Sequence, residues 1–275
     1  MTLLWTLALK ELRDGLRNRW IAAAIILLGT LALALSLLGA APTGSVRVSN
    51  LDITVVSLAS LSVYLIPLIA LMLSFDALVG EFERGTMMLL LTYPVSRWQV
   101  IIGKFIGHVL ILAVAIFAGY GGAFLIMTIF AGGGTEGWQA YGMMMLSSLI
   151  LGAIFIALGY LVSVLVKERA TAAGTAIGLW LVFVVLYDLL LFGALLIDKE
   201  QIIGQQLFSV LMLISPTDSY RIFNLSMFEG VSQAAGIAGI ASEAGMSGSL
   251  LMSVMLLWVI VPLLATLLFF QRREL

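Results

Sequence analysis

Two apolar runs of membrane length meet at one charged island, residues 76–104, which reads DALVGEFERGTMMLLLTYPVSRWQVIIGK. Crossing about 30 Å of hydrocarbon takes roughly 20 helical residues, because no water is present there to satisfy an open backbone. A chain made mostly of such runs folds as a bundle of spanning helices, and the island is where something in water can grip it. Composition agrees. Hydrophobic residues make up 62% of the chain and charged residues 11%, with a mean hydropathy of +1.14, whereas a soluble domain is about 25% charged. The sequence therefore predicts an all-α polytopic membrane protein.

Six spans are predicted, at 20–41, 55–75, 100–130, 141–166, 172–197 and 249–271. The third is too long for one straight span, and Gly119, Gly121 and Gly122 predict a tilt or kink within it. An even number of spans puts both ends on one side. Of the 14 Lys and Arg residues, Lys10, Arg13, Arg17, Arg19, Arg84, Arg97, Lys104, Lys167, Arg169, Arg272 and Arg273 fall on one side; Arg47, Lys199 and Arg221 fall on the other. The positive-inside rule makes the cation-rich side cytoplasmic, with both termini there. The basic stretch 10–19 before an apolar run has a signal-peptide cast, but the run at 20–41 exceeds the roughly 7–15 residues of a signal core and is read as a retained span. Before it, Trp5, Leu9, Leu12 and Leu16 recur at helical spacing, with Lys10, Arg13, Asp14 and Arg17 opposite. Residues 2–18 are thus expected to form an amphipathic helix in the membrane interface, in contact with lipid, rather than a cytoplasmic extension of the first span, whose apolar stripe would face water. Residues 198–248 are too polar to span and too apolar for a solvated linker. Short helices dipping partly back from the outer rim are expected there, with a turn and cap at Ser215, Pro216, Thr217 and Asp218.

Several chemistries are absent. Without cysteine there is no disulfide or thiolate metal site. The stretch GEFERGT at 80–86 has P-loop glycine spacing but lacks the lysine, and Glu81 and Glu83 would repel phosphate. A net charge of −1 gives no reason to expect a nucleic-acid partner. One histidine builds no metal site alone, no hydrolase motif occurs, and no catalytic or metal-binding residue is assigned.

Two ionisable residues inside spans are candidate intramembrane functional groups. Asp188 is either a pathway or coupling group, or a hydrogen-bonded or protonated carboxyl holding two helices together. His108 is either a proton relay or a hydrogen bond to a neighbouring helix or head group. Met143, Met144 and Met145, with Met127, Met212, Met227, Met246, Met252 and Met255, gather toward the outer half. Thioethers suit Cu(I), but they are also flexible packing, and three consecutive methionines point about 100° apart on a helix. Gly103 with Gly107, and Gly174 with Gly178, allow helices to approach closely, within one chain or between two copies.

The island itself carries Asp76, Leu78, Glu81, Glu83, Gly85 and Thr86, then Leu90, Leu91, Pro94, Val95, Ser96 and Arg97, then Ile102, Gly103 and Lys104. Residues 86–92 form a short apolar helix, too short to span, that must lie on the membrane or pack into another protein. This arrangement resembles the cytoplasmic signature of ABC-2 type transporter permeases, and the amphipathic first helix and six spans fit the same family. The resemblance implies an ABC-2 (type V exporter-like) fold in one permease domain over 1–275, with a coupling loop at 76–99 and an extracytoplasmic helical segment at 198–248. Asp76, Glu81, Glu83, Arg84, Gly85, Thr86, Pro94, Arg97 and Lys104 would couple the spans to an ATPase. Charge reversal at Glu81 with Glu83 is then expected to uncouple ATP hydrolysis from output without unfolding the spans.

Over its whole length the sequence is similar to the branch of that family that serves maturation of the copper centres of nitrous oxide reductase. That similarity implies a second copy of the chain, a cytoplasmic ABC ATPase dimer holding ATP and Mg, and a periplasmic β-helical subunit docked on 198–248, in a bacterial inner membrane. The species handled would involve sulfur, or force alone would be transmitted. An ABC-2 exporter of a lipid, glycan or drug is the alternative within the family, and a non-transport membrane scaffold is the alternative outside it.

Overall fold

The computed structural model describes residues 2–17, 19–39, 50–130, 138–197, 205–226 and 246–272, all helical or in turns. Arg47, Lys199, Arg273 and Met227 lie outside the described residues, as do the side chain of Met127 and most of the segment after residue 226. Five helices are long and apolar enough to cross a membrane, and a sixth span is completed if the bent first pair counts as one.

That pair is α1 (Thr2–Leu16) and α2 (Arg19–Gly39), bent by 73°. The bend separates the amphipathic helix from the first apolar run, as the sequence pattern requires. Trp5, Leu9 and Leu16 are exposed along α1, which suits a stripe resting in lipid. A second face, not anticipated, packs on α6 (Arg97–Phe130): Leu7 and Ala8 are buried, and the backbone of α1 crosses Gly103 and Gly107 at contact distance. Any side chain at either glycine would meet Leu7 or Glu11. The Gly103–Gly107 pair therefore serves packing within one chain.

The second span is α3 (Asn50–Ser74), and the fourth, α7 (Trp138–Leu165), is the mast of the bundle. Its most apolar window is 72% buried, against 11% for the fifth span and 22% for the last. Small residues make this possible: Gly152 sits against Leu112 and Ile66, and Gly159 against Ser74. Tyr120, Tyr141, Tyr160, Tyr220 and Phe155 fill the space around α7 and are fully buried.

The third span departs from expectation. α6 runs unbroken for 34 residues, with no break at Gly119, Gly121 or Gly122. Gly119 instead faces Gly29 of α2, where the two backbones touch, and Gly121 and Gly122 face open space. The length is absorbed at the start of the helix, whose first two turns carry Arg97 and Lys104 at the level of the island.

The fifth span is the interrupted one. It comprises α8 (Arg169–Leu181), a π-helical turn (Val182–Leu186) and α9 (Tyr187–Ile197). A π-turn widens the helix and leaves a carbonyl poorly matched; the Thr217 hydroxyl donates to Phe183 O at 2.9 Å. Thr217 belongs to a hairpin of two short helices, α10 (Gln205–Ile214) and α11 (Pro216–Leu225), before the last span α12 (Gly248–Arg272). Ser215 caps α11 by accepting from Asp218 N, with Pro216 at the first helical position, so the expected turn and cap are observed. α11 is polar yet almost wholly buried against α3, α7 and α12.

Candidate functional site

The island folds into two short helices, α4 (Val79–Glu83) and α5 (Thr86–Leu91). Ser163, near the end of α7, accepts from Leu78 N and Val79 N, both at 3.0 Å. Those amides have no partner within so short a helix. Gly85 then reverses the chain at φ 69°, a left-handed conformation that glycine adopts without strain. After Pro94, Gln99 Oε1 accepts from Ser96 N at 3.0 Å, the returning arm of a capping box that starts α6.

The charges of the island are met largely inside this chain. Lys104 is buried and donates to two carboxylates, Glu11 of α1 at 2.7 Å and Glu81 of α4 at 2.6 Å. Asp76 pairs with Arg169 at 2.6 Å. Glu83 Oε1 accepts from Arg169 N at 2.7 Å and caps α8. Arg97 donates to Phe270 O at 2.9 Å and Gln271 O at 2.8 Å, and its guanidinium lies 5.8 Å from the centre of the Phe270 ring. Positive charge over the last carbonyls of α12 complements the helix dipole. Phe82 stands edge-on to the same ring at 6.0 Å. Thr86 Oγ1 donates to Glu81 O at 3.3 Å and steadies the reversal at Gly85. Thus α4 is tied to α1, α6, α7, α8 and α12 at once.

What the node leaves open is apolar. Met87 is buried, while Met88, Leu89 and Tyr93 are 58, 65 and 68% exposed. Arg84 and Glu83 flank them at the surface. A short helix that seats Met87 inward and offers Met88 and Leu89 outward, with Tyr93 just beyond its end, has the form of a plug for a groove.

A family model described as "ABC-2 family transporter protein" matches residues 5–275. This chain belongs to the ABC-2 transporter family. Two relatives are named "Probable ABC transporter permease protein NosY". The one from Stutzerimonas stutzeri is 44% identical over 275 residues, and the one from Pseudomonas aeruginosa 43% identical over 282; each match covers 99% of both chains.

Seen as an ABC-2 protein, the chain places its two intramembrane candidates differently. His108 Nδ1 shares a hydrogen bond with the Tyr160 hydroxyl at 2.8 Å, and its Nε2 lies 4.0 Å from Glu11. It lines the back of the Lys104 node and ties α6 to α7. Asp188 is at the far end. Ser148, beside the hairpin, and Ser163, beneath α4, stand fifteen residues apart on α7, about 22 Å along a helix. There Arg221 of α11 donates to Asp188 at 3.0 Å and to Asp218 at 3.1 Å. Through Arg221 the Asp188 carboxylate links α9 to α11.

Sequence reasoning singled out the island's own residues and missed their partners. Glu11 and Arg169 were read as part of the charge census or not at all, and Ser163 carried no local signal. Glu81 needs reinterpretation. Placed in the sequence as a charge facing a partner, it is one of two counter-charges to buried Lys104, so reversing it also opens the node. The methionines act as packing: Met144, Met145 and Met255 sit in the main core, and Met143, Met212, Met246 and Met252 in a smaller one beside the hairpin. Among the described residues no group of three His, Asp or Glu side chains is arranged to hold a metal. The P-loop-like stretch 80–86 is mostly helix α4.

Proposed function

We propose that this chain is the permease subunit of an ABC transporter, in the role the name NosY gives its relatives, and that α5 is the lever by which a separate ATPase moves the spans. The observation that carries the reading is the α4–α5 node. Three large apolar side chains project outward from a unit that ion pairs, hydrogen bonds and ring packing lock to five other helices. Force applied at Met88, Leu89 and Tyr93 would pass through Glu81–Lys104–Glu11 into α1 and α6, through Glu83–Arg169 into α8, and through Arg97 into the end of α12. Arg84 and the exposed edge of Glu83 set charge complementarity at the joint. Lys104, Asp76 and Arg97 transmit, while Gly85, Thr86 and Pro94 shape the two turns.

In this reading the node and both termini face the bacterial cytoplasm, following the cation bias. Two NosF-like ATPase subunits bind ATP and Mg there, a second copy of the chain completes the membrane unit, and a NosD-like β-helical subunit docks on the opposite rim. Output goes to copper-site maturation of nitrous oxide reductase, by movement of a sulfur species or by force alone. The dense aromatic filling around α7 favours force, since it fills the interior among the described residues.

The test uses the complete transporter. In Met88→Asp with Leu89→Asp, the spans should remain folded and the ATPase should no longer co-purify. Retention of the ATPase at wild-type stoichiometry in that variant would overturn the lever. Metal and sulfur analysis of the reductase, with and without the outer subunit, separates the two kinds of output.

A further inference from the structure

The end of the molecule opposite the node holds a cluster that force transmission does not use. Asp188 of α9 and Asp218 of α11 both contact one guanidinium, Arg221. Asp218 is 1% exposed, and its Oδ2 has no hydrogen-bond partner. A bare carboxylate oxygen in a water-poor site is costly, and one arginine cannot balance two anions. The Asp188 carboxylate lies close enough to accept a hydrogen bond from a protonated Asp218. One proton on Oδ2 would therefore satisfy the orphaned atom, remove the repulsion between the acids and bring the cluster to neutrality.

We propose that Asp218 carries a proton on Oδ2 and donates it in a hydrogen bond to Asp188, which latches the α10–α11 hairpin onto the fifth span.

A proton fits better than a metal ion. The cluster offers two carboxylates and a cation, and Arg221 already holds one oxygen of each acid. The other groups acting on it are the Ser215 hydroxyl at the cap of α11, the Tyr187 phenol of α9 and the Tyr64 phenol of α3. Burial, then the Asp188 charge, push the Asp218 carboxyl up to about 7, against the opposing pull of Arg221. The sign follows from linkage. A carboxyl with a raised folded-state pKa favours the closed state below its ordinary range, and that contribution is lost as pH rises toward 7. Acid on this side of the membrane closes the hairpin, and alkali loosens it. The latch is independent of what docks at α5.

Hydrogen exchange on the full chain in lipid nanodiscs tests the idea, with intrinsic exchange corrected. Opening of α10–α11 should rise roughly tenfold per pH unit between the ordinary carboxylate range and about 7, then level off. The near-isosteric Asp218→Asn should abolish that slope. Asp188→Asn should shift the midpoint down, because the repelling charge is gone. Difference infrared spectroscopy should show a protonated carboxyl band that titrates near neutrality and is missing in Asp218→Asn. A flat wild-type profile, an unchanged slope in Asp218→Asn, or a band titrating only in the ordinary carboxylate range would each overturn the latch.

Discussion

Lys104 is the residue on which the node turns. Its side chain is 5% exposed between two carboxylates, so the three charges make one unit. Removing the cation leaves two buried anions facing each other. Lys104→Ala should cost roughly 3–5 kcal/mol, read as a lower thermal unfolding midpoint in detergent. Replacing all three together (Lys104→Met, Glu11→Gln, Glu81→Gln) should cost much less, because no charge is left stranded. The Glu11 carboxyl carries a pH signature. Burial pushes it up, but the Lys104 ammonium, helped by His108 and Lys10, brings it below its ordinary value of 4.5. A depressed carboxyl stabilises the fold above its unfolded pKa, and that contribution fades as pH falls through the folded value. An acid titration of unfolding should show a loss in wild type that Glu11→Gln lacks. At this scale the sequence was half readable: Lys104 and Glu81 stood out in the island, but Glu11 looked like one more charge on a basic helix. A pair 93 residues apart leaves no local trace, since only tertiary folding brings it together.

Two features of the helices decide how they pack. Gly159 of α7 lies against Ser74 of α3 so closely that an added methyl group would collide with the serine hydroxyl and approach its backbone. Gly159→Ala should destabilise by about 1–3 kcal/mol, whereas Gly174→Ala, which meets nothing within 4 Å in this chain, should leave the isolated fold unchanged. The π-turn is the second feature. Thr217→Val removes the hydroxyl that serves Phe183 O, at a cost of about 1–3 kcal/mol, and should speed hydrogen exchange in α9 specifically. Hydropathy located every long helix, because membrane burial demands length and apolarity and both are local. It offered a tilt or kink at the glycines of α6, where the helix runs unbroken, since glycines in a span can mean bending or close packing and only the neighbour decides. The π-turn was invisible, because the hydroxyl that serves its Phe183 carbonyl is more than thirty residues away.

Taken whole, the molecule is lopsided. α7 is mostly enclosed, while the fifth span shows nearly all of itself. Gly174, Ile177, Gly178 and Leu181 form part of that bare face, with both glycines open. If a second copy completes the membrane unit, this is the side with room for it. The chain has no cysteine, so single probes need no cleared background: Ile177→Cys should give a covalent dimer on oxidation in lipid. Failure of both Ile177→Cys and Leu181→Cys to cross-link would move the second copy elsewhere. The island's resemblance to ABC-2 permeases named the family before any geometry, because a signature at one hinge is compact in sequence. The hairpin was only half legible, since the composition of α11 reads as surface and its burial depends on the partners around it.

The grip of Glu11 on Lys104 has a consequence for how the protein is made. At about 5–20 residues per second of translation, the first helix leaves the ribosome some 5–20 s before the lysine that completes it. During that interval its carboxylate must wait in the lipid head-group layer, borrowing water or a passing cation. This early helix is therefore among the last to settle, and a nascent chain stalled short of the third span would display α1 with Glu11 lacking its Lys104 partner.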